Sequence, residues 1–167
     1  HLLKSVNGRV VLLPGVRGFA PPDRPDGVVV VNPSYWVFEA FPVLKELAPE
    51  VPWDEVASAG AELIAASRFG PAAMPADWVQ ITSNGLSPAD GFPAVYGYNA
   101  IRIPLYLVRA GIDGPFLDPF STAAGATTLF ELTTGKPTER LTDPGYRIID
   151  ALVGCARGVP VPDDLLS

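Results

Sequence analysis

The chain has 167 residues, 48% of them hydrophobic and only 18% charged, with a formal net charge of -6. That length builds one domain with a core of its own, and the scattered Lys and Arg residues on an acidic chain argue against nucleic acid as a partner. A single Cys and a single His (His1) exclude a Ser-His-Asp triad, a Cys-His pair and a multi-His metal site within the chain, and no apolar run is long enough to span a membrane.

Cys155 has no partner for an internal disulfide. No charged segment leads into an apolar one at the start, so no export signal is visible. The chain opens on His and stops at PVPDDLLS, where a new apolar element begins. Both ends read as cut, and the low charged fraction fits a fragment whose surface faces a missing part.

Val6 to Pro14 joins an Asn7-Gly8 turn signal to a β-branched run and reads as a strand or hairpin arm. A Pro-rich loop follows from Phe19 to Gly27, then a short apolar run, Val28 to Val31, leading into NPSYW. Phe38, Phe41, Leu44 and Leu47 recur at helical spacing and predict a first helix over Ser34 to Leu47, kinked or broken by Pro42. The second helix starts at Pro52, carries Asp54 and Glu55 in its first turn, and ends at Gly70-Pro71. Asp77 to Thr82 reads as a short strand and Ser83 to Pro93 as a loop.

VYGYNAIRIPLYLVRAG, Val95 to Gly111, predicts a third helix, apolar nearly all round and so buried between neighbours. Pro104 fits it only within the first turn or two. A fourth helix is expected between Asp118 and Leu132, then a polar loop from Thr133 to Thr142. The fifth is capped by Asp143, has Pro144 at its first position and closes at Gly158. The sum is about five helices with two or three short strands, and no alternation that would make a parallel sheet.

Tyr98, Asn99 and Arg102 stand at the polar front of the third helix, three and four residues apart, so their head groups can converge. Two roles are open to Asn99, capping free backbone N–H groups or meeting a ligand, and capping is the commoner one. Arg102 can equally pair with a nearby carboxylate. Tyr35 and Trp36 are either core anchors or apolar faces for a pyranose ring. Trp53 and Trp78 read as core. Asp77 reads as an ion-pair partner or turn cap. Asp54, Glu55 and Glu62 read as a solvated helix face, and solvation or capping is the default for Asp113, Asp118 and Asp150. Glu39 is less at ease on a mostly apolar helix. Neither GxGxxG nor a P-loop occurs, and no cofactor is implied.

The order of motifs says more than each alone. LLPGVRGF (Leu12 to Phe19), VNPSYW (Val31 to Trp36), PADWV (Pro75 to Val79) and YNAIRIPLYL (Tyr98 to Leu107) follow one another as in glycoside hydrolase family 8, which the chain resembles from Leu12 to about Arg109 and more weakly to Gly158. The likeness is to the bacterial cellulases of that family. It implies an all-α fold, an (α/α)6 barrel of which this chain holds about the C-terminal half, with short β segments in loops. Residues 1–167 would be the later part of one catalytic domain, completed by a missing N-terminal half. The resemblance also implies a secreted or periplasmic enzyme.

The implied reaction is hydrolysis of internal β-1,4 bonds in cellulose-like glucans, with inversion. Inversion takes an acid for the leaving oxygen and a base for the attacking water. The family's acid is a Glu in an "SEG" motif that this chain lacks, as it lacks the "DG-D" motif. The family's usual base, the Asp of "YDAxR", aligns with Asn99, whose amide has no useful basicity. Glu39 and Asp90 are the other carboxylates considered for that role. By resemblance Tyr98, Asn99 and Arg102 line the cleavage point, with Tyr98 donating to water or sugar, and Tyr35 and Trp36 touch the glycan. The alternatives are a catalytically inactive glycan-binding relative and a helical interaction domain.

Overall fold

The computed structural model describes residues 2–122 and 124–165; His1 lies outside them. Among the described residues there are four α-helices and eight strands in three antiparallel sheets. The all-α expectation is therefore corrected: the chain is a mixture of helices and small sheets rather than a half-ring of helix pairs.

Strands β1 (Leu3–Val6) and β2 (Arg9–Leu12) form a hairpin on the Asn7-Gly8 turn. Both turn residues have positive φ, 50° and 78°, which matches the twist of a two-residue hairpin. The hairpin lies on α2 (Trp53–Ala66). Val56, Ala59, Gly60, Leu63 and Ile64 bury one stripe of α2 at the spacing of a helix face. The Ser67 hydroxyl closes the helix by donating to the Leu63 carbonyl at 2.8 Å.

The predicted helix over Ser34 to Leu47 is instead three pieces. Pro33–Tyr35 and Phe38–Ala40 are single 3-10 turns, and only α1 (Phe41–Leu47) is α-helical. Trp36 and Val37 leave the helical region, with ψ near 84° and 80°. That break swings Trp36 fully inside, where its indole N–H donates to the Val56 carbonyl at 2.9 Å. Pro42 falls at the start of α1, where its missing N–H costs nothing, so it opens the helix rather than kinking it.

The Trp36 ring sits where a side chain at position 60 would be. A Cβ on Gly60 would lie 2.1 Å from Trp36 Cδ1. Gly60→Ala is therefore expected to lower folding stability by about 3 kcal/mol through overpacking, read as a shifted urea midpoint. An unchanged midpoint would mean the indole has room to move.

The second sheet runs β3 (Val29–Val31), β4 (Val79–Thr82) and β5 (Gly85–Pro88), so part of the predicted Ser83 to Pro93 loop is a strand. The third runs β6 (Val95–Tyr96), β7 (Thr128–Glu131) and β8 (Lys136–Arg140). It replaces both the predicted fourth helix and the polar loop after it. Asp118–Phe120 manages only one 3-10 turn. Beyond it Gly125 has φ +77°, a conformation no helix uses. Thr127 and Thr128, β-branched, then favour an extended chain. The Thr127 hydroxyl donates to Asp150 at 2.7 Å, fixing the approach to β7.

Helix α3 is shorter than predicted, Arg102–Arg109, and Pro104 stands in its first turn. It buries Ile103, Pro104 and Leu107, while Leu105, Tyr106 and Val108 stay partly exposed, so it is one-sided rather than apolar all round. It packs against α4 (Pro144–Ala156) on one side and against the Pro33–Tyr35 and Phe38–Ala40 turns on the other. This places the start of α3 beside the NPSY turn. Among the described residues no helix is long and apolar enough to cross a membrane.

Candidate active site

The segment from Gly97 to Ile101 turns β6 into α3, and a turn into a helix leaves backbone N–H groups without intrahelical partners. Asp77, 20 residues or more away in sequence, supplies the acceptors. Its Oδ1 accepts from Gly97 N at 2.8 Å and Ala100 N at 2.9 Å. Its Oδ2 takes the longer bonds of the Asn99 side-chain amide, 3.3 Å, and backbone N–H, 3.4 Å. Asp77 is only 7% exposed. A Cβ at Gly97 would stand 2.7 Å from Asp77 Oδ2, so the close approach needs glycine there. Asp77 is thus the turn cap of the two roles its sequence allowed.

With its N–H2 turned to Asp77, the Asn99 side chain presents its oxygen the other way. Arg102 Nη2 donates to that oxygen at 2.7 Å and to Ser34 Oγ at 2.9 Å. Ser34 Oγ donates in turn to Asn32 Oδ1 at 2.8 Å, and Asn32 Oδ1 also accepts from Ser34 N. One line of hydrogen bonds therefore runs Asp77, Asn99, Arg102, Ser34, Asn32 and ties the start of α3 to the NPSY turn. Asn32 is fully buried, and its Nδ2 has no partner among the described residues. The Asn99 side chain does not cap the helix; its oxygen belongs to Arg102.

Tyr35 is 39% exposed beside this line, its ring edge-on to Trp78 at 6.3 Å. Trp78 lies between Phe19 and Phe92, at 5.7 and 4.5 Å, both nearly parallel to it. Arg24 stands over the outer face of the group, 5.5 Å from the Phe92 ring. Trp78 is thus half-buried in a stack rather than part of the main core. Trp36 is separated from its neighbour Tyr35: it has no exposed face with which to meet a sugar.

Tyr98, the chain neighbour of Asn99, is 55% exposed, and among the described residues its hydroxyl bonds to no member of the Asp77 line. Its hydroxyl donates to Glu139 Oε2 at 2.8 Å. That bond, above all, holds the phenol above its ordinary pKa of 10.0. The phenolic proton is committed to Glu139, so Tyr98 offers lone pairs to a ligand rather than the donated proton expected from sequence.

The two other carboxylates considered for the base are engaged elsewhere. Glu39 pairs with Arg109 at 3.0 Å, and its buried Oε2 has no hydrogen-bond partner among the described residues. Arg109 is seven residues along α3 from Arg102, about 10 Å at a helix's rise. Asp90 is held by Gln80, which donates to Oδ2 at 3.3 Å and accepts from the Asp90 N–H. The sequence motifs pointed to Tyr98, Asn99, Arg102 and Tyr35. They do not point to Ser34 or to Glu139, which lies on a strand with no motif, and for Asp77 the sequence offers only an ion pair or a turn cap. Among the described residues no group of three or more His, Cys, Asp and Glu gathers as metal ligands would.

The family model of glycosyl hydrolases family 8 matches residues 2–134. A probable endoglucanase of Novacetimonas hansenii is 33% identical over 154 residues, which cover 87% of this chain and 44% of that protein. The crystal structure of an endoglucanase from Komagataeibacter sucrofermentans superposes with a TM-score of 0.78 at 32% identity, over 97% of this chain and 53% of that one. An endo-beta-1,4-glucanase from Acetobacter xylinum gives 0.80 at 29% identity, over 91% and 49%. The chain thus spans about half the length of the relatives it matches. With a match across most of its length and these four motifs in order, the chain belongs to glycosyl hydrolases family 8.

Proposed function

We propose that the full-length protein hydrolyses internal β-1,4 bonds of a cellulose-like glucan in one inverting displacement. The observation behind this reading is the line from Asp77 through Asn99 and Arg102 to Ser34, which holds the polar front of α3 against the turn bearing Tyr35. An exposed aromatic ring beside fixed amide and guanidinium groups suits a sugar, which offers a C–H face and hydroxyls together. The relatives named endoglucanases support the substrate class.

In this reading the general acid comes from the part of the protein outside these residues, so the chain by itself does not hydrolyse. The acid and base of an inverting pair stand about 6.5–9.5 Å apart, leaving room for water. The polymer substrate places the enzyme outside the cytoplasm. Incubating the full-length protein with carboxymethylcellulose is expected to release reducing ends, with the α-anomer appearing first by NMR. No release from any β-1,4-glucan, chitosan or xylan overturns the reading.

A second reading rests on Asn99. An amide at the position of the family's usual base fits a protein that holds glycan without cutting it. It predicts binding of cello-oligosaccharides by the full-length protein with no new reducing ends.

A further inference from the structure

Hydrolysis needs somewhere for the proton of the attacking water to go, and Asn99 cannot take it. Of the carboxylates weighed above, Asp77 has both oxygens filled by N–H donors. Glu39 and Asp90 are tied to Arg109 and Gln80. Glu139 is different. It stands exposed on β8, and it receives the hydrogen bond of Tyr98, the immediate chain neighbour of Asn99.

The third sheet explains how a residue 41 positions away arrives there. β6 leads into the Gly97–Ile101 turn, β7 pairs with β6, and β8 pairs with β7, with Glu139 opposite Leu129. The sheet therefore carries Glu139 to the edge of the same turn that presents Tyr98 and Asn99.

We propose that Glu139 is the final acceptor of the water proton, reached through the Tyr98 hydroxyl. This rests on the hydrolytic reading above. As the water oxygen bonds to the anomeric carbon, its proton passes to Tyr98 Oη while the phenolic proton passes to Glu139 Oε2. The glycosidic C–O bond breaks, and the leaving oxygen takes a proton from a carboxylic acid outside these residues. One water is consumed, Glu139 ends protonated and the acid ends ionised; exchange with solvent resets both. Tyr98 is neutral before and after the step, as its raised pKa requires. Asn99 holds the water or a sugar hydroxyl beside it.

The test uses the full-length protein. Glu139→Gln and Tyr98→Phe are each expected to lower kcat on carboxymethylcellulose by about 10²–10⁴-fold, the usual worth of a general base, with KM little changed. The double variant should lose no more than either alone, because the two groups act as one path. Azide needs no deprotonation, so it should restore turnover to Glu139→Ala and yield the α-glycosyl azide. Wild-type hydrolysis with Glu139→Gln within about threefold of it overturns the relay and leaves the hydrolytic reading standing. A loss in Glu139→Gln with no azide rescue of Glu139→Ala also overturns it. An inactive wild type brings down both.

Discussion

Replacing Asp77 with alanine is expected to lower the folding stability of the chain by about 4 kcal/mol. Two backbone N–H groups, at Gly97 and Ala100, spend their hydrogen bonds on one buried carboxylate oxygen. Removing the acceptor strands both, at about 1–3 kcal/mol for each unsatisfied buried donor. The Asn99 amide loses its anchor as well, though at 3.3 Å that bond contributes less. A domain is stable by only about 5–15 kcal/mol, so the loss is a large share of the whole. Asp77→Asn should cost about half as much, because its one carbonyl oxygen can still accept while its N–H2 faces other donors. Urea unfolding of wild type and both variants checks the ranking. An alanine variant within about 1 kcal/mol of wild type would show that water serves the turn as well as the carboxylate does.

The same residue shows where sequence reading stops. Helices α2 and α4 and the first hairpin were legible because their signals are local: an apolar stripe at three- and four-residue spacing, a Pro at the first helical position, an Asn-Gly turn. Ser34 to Leu47 looks like one helix in sequence because Phe38, Phe41, Leu44 and Leu47 keep helical spacing, although the backbone leaves the helix at Trp36 and Val37. The reason is tertiary: the cavity over Gly60 takes the Trp36 indole, and burial of that ring outweighs local periodicity. Strand β8 left no trace at all, since every one of its residues is exposed and no alternation marks its faces.

The site divides along the same line. Tyr98, Asn99 and Arg102 could be read together because they lie within one turn and follow a family motif. Asp77 and Glu139 reach them only through pairing between distant strands, Asp77 N with the Val95 carbonyl and β8 with β7. Nothing local in the sequence states either juxtaposition. The all-α expectation failed for a related reason. It was carried by the family resemblance, whereas short segments such as the all-valine Val29–Val31 and Thr128–Glu131, which opens on a β-branched Thr, gather into three small sheets.

Arg102→Ala should remove about 10²–10³-fold of kcat from the full-length enzyme, about 3–4 kcal/mol of barrier, while costing little stability. Arg102 is half-buried at the start of α3 and lies outside the hydrophobic core, so its loss opens no cavity there. What it does is geometric. One nitrogen, Nη2, gives a hydrogen to Asn99 and another to Ser34, and these two bonds join α3 to the NPSY turn. Without them the Asn99 oxygen has lost its donor and the amide can turn, so the group expected to hold the water is no longer aimed. Misplacing a bound group by about 1 Å costs as much as 10²-fold in rate. Arg102→Lys keeps the charge but not the planar fork, and one flexible ammonium must choose or compromise between Asn99 and Ser34. It should therefore recover part of the loss, in kcat before KM. A change confined to KM in both variants would mean that Arg102 grips the glycan uniformly through the reaction, and the Asp77-to-Ser34 line would then be a binding surface with no part in orienting the water.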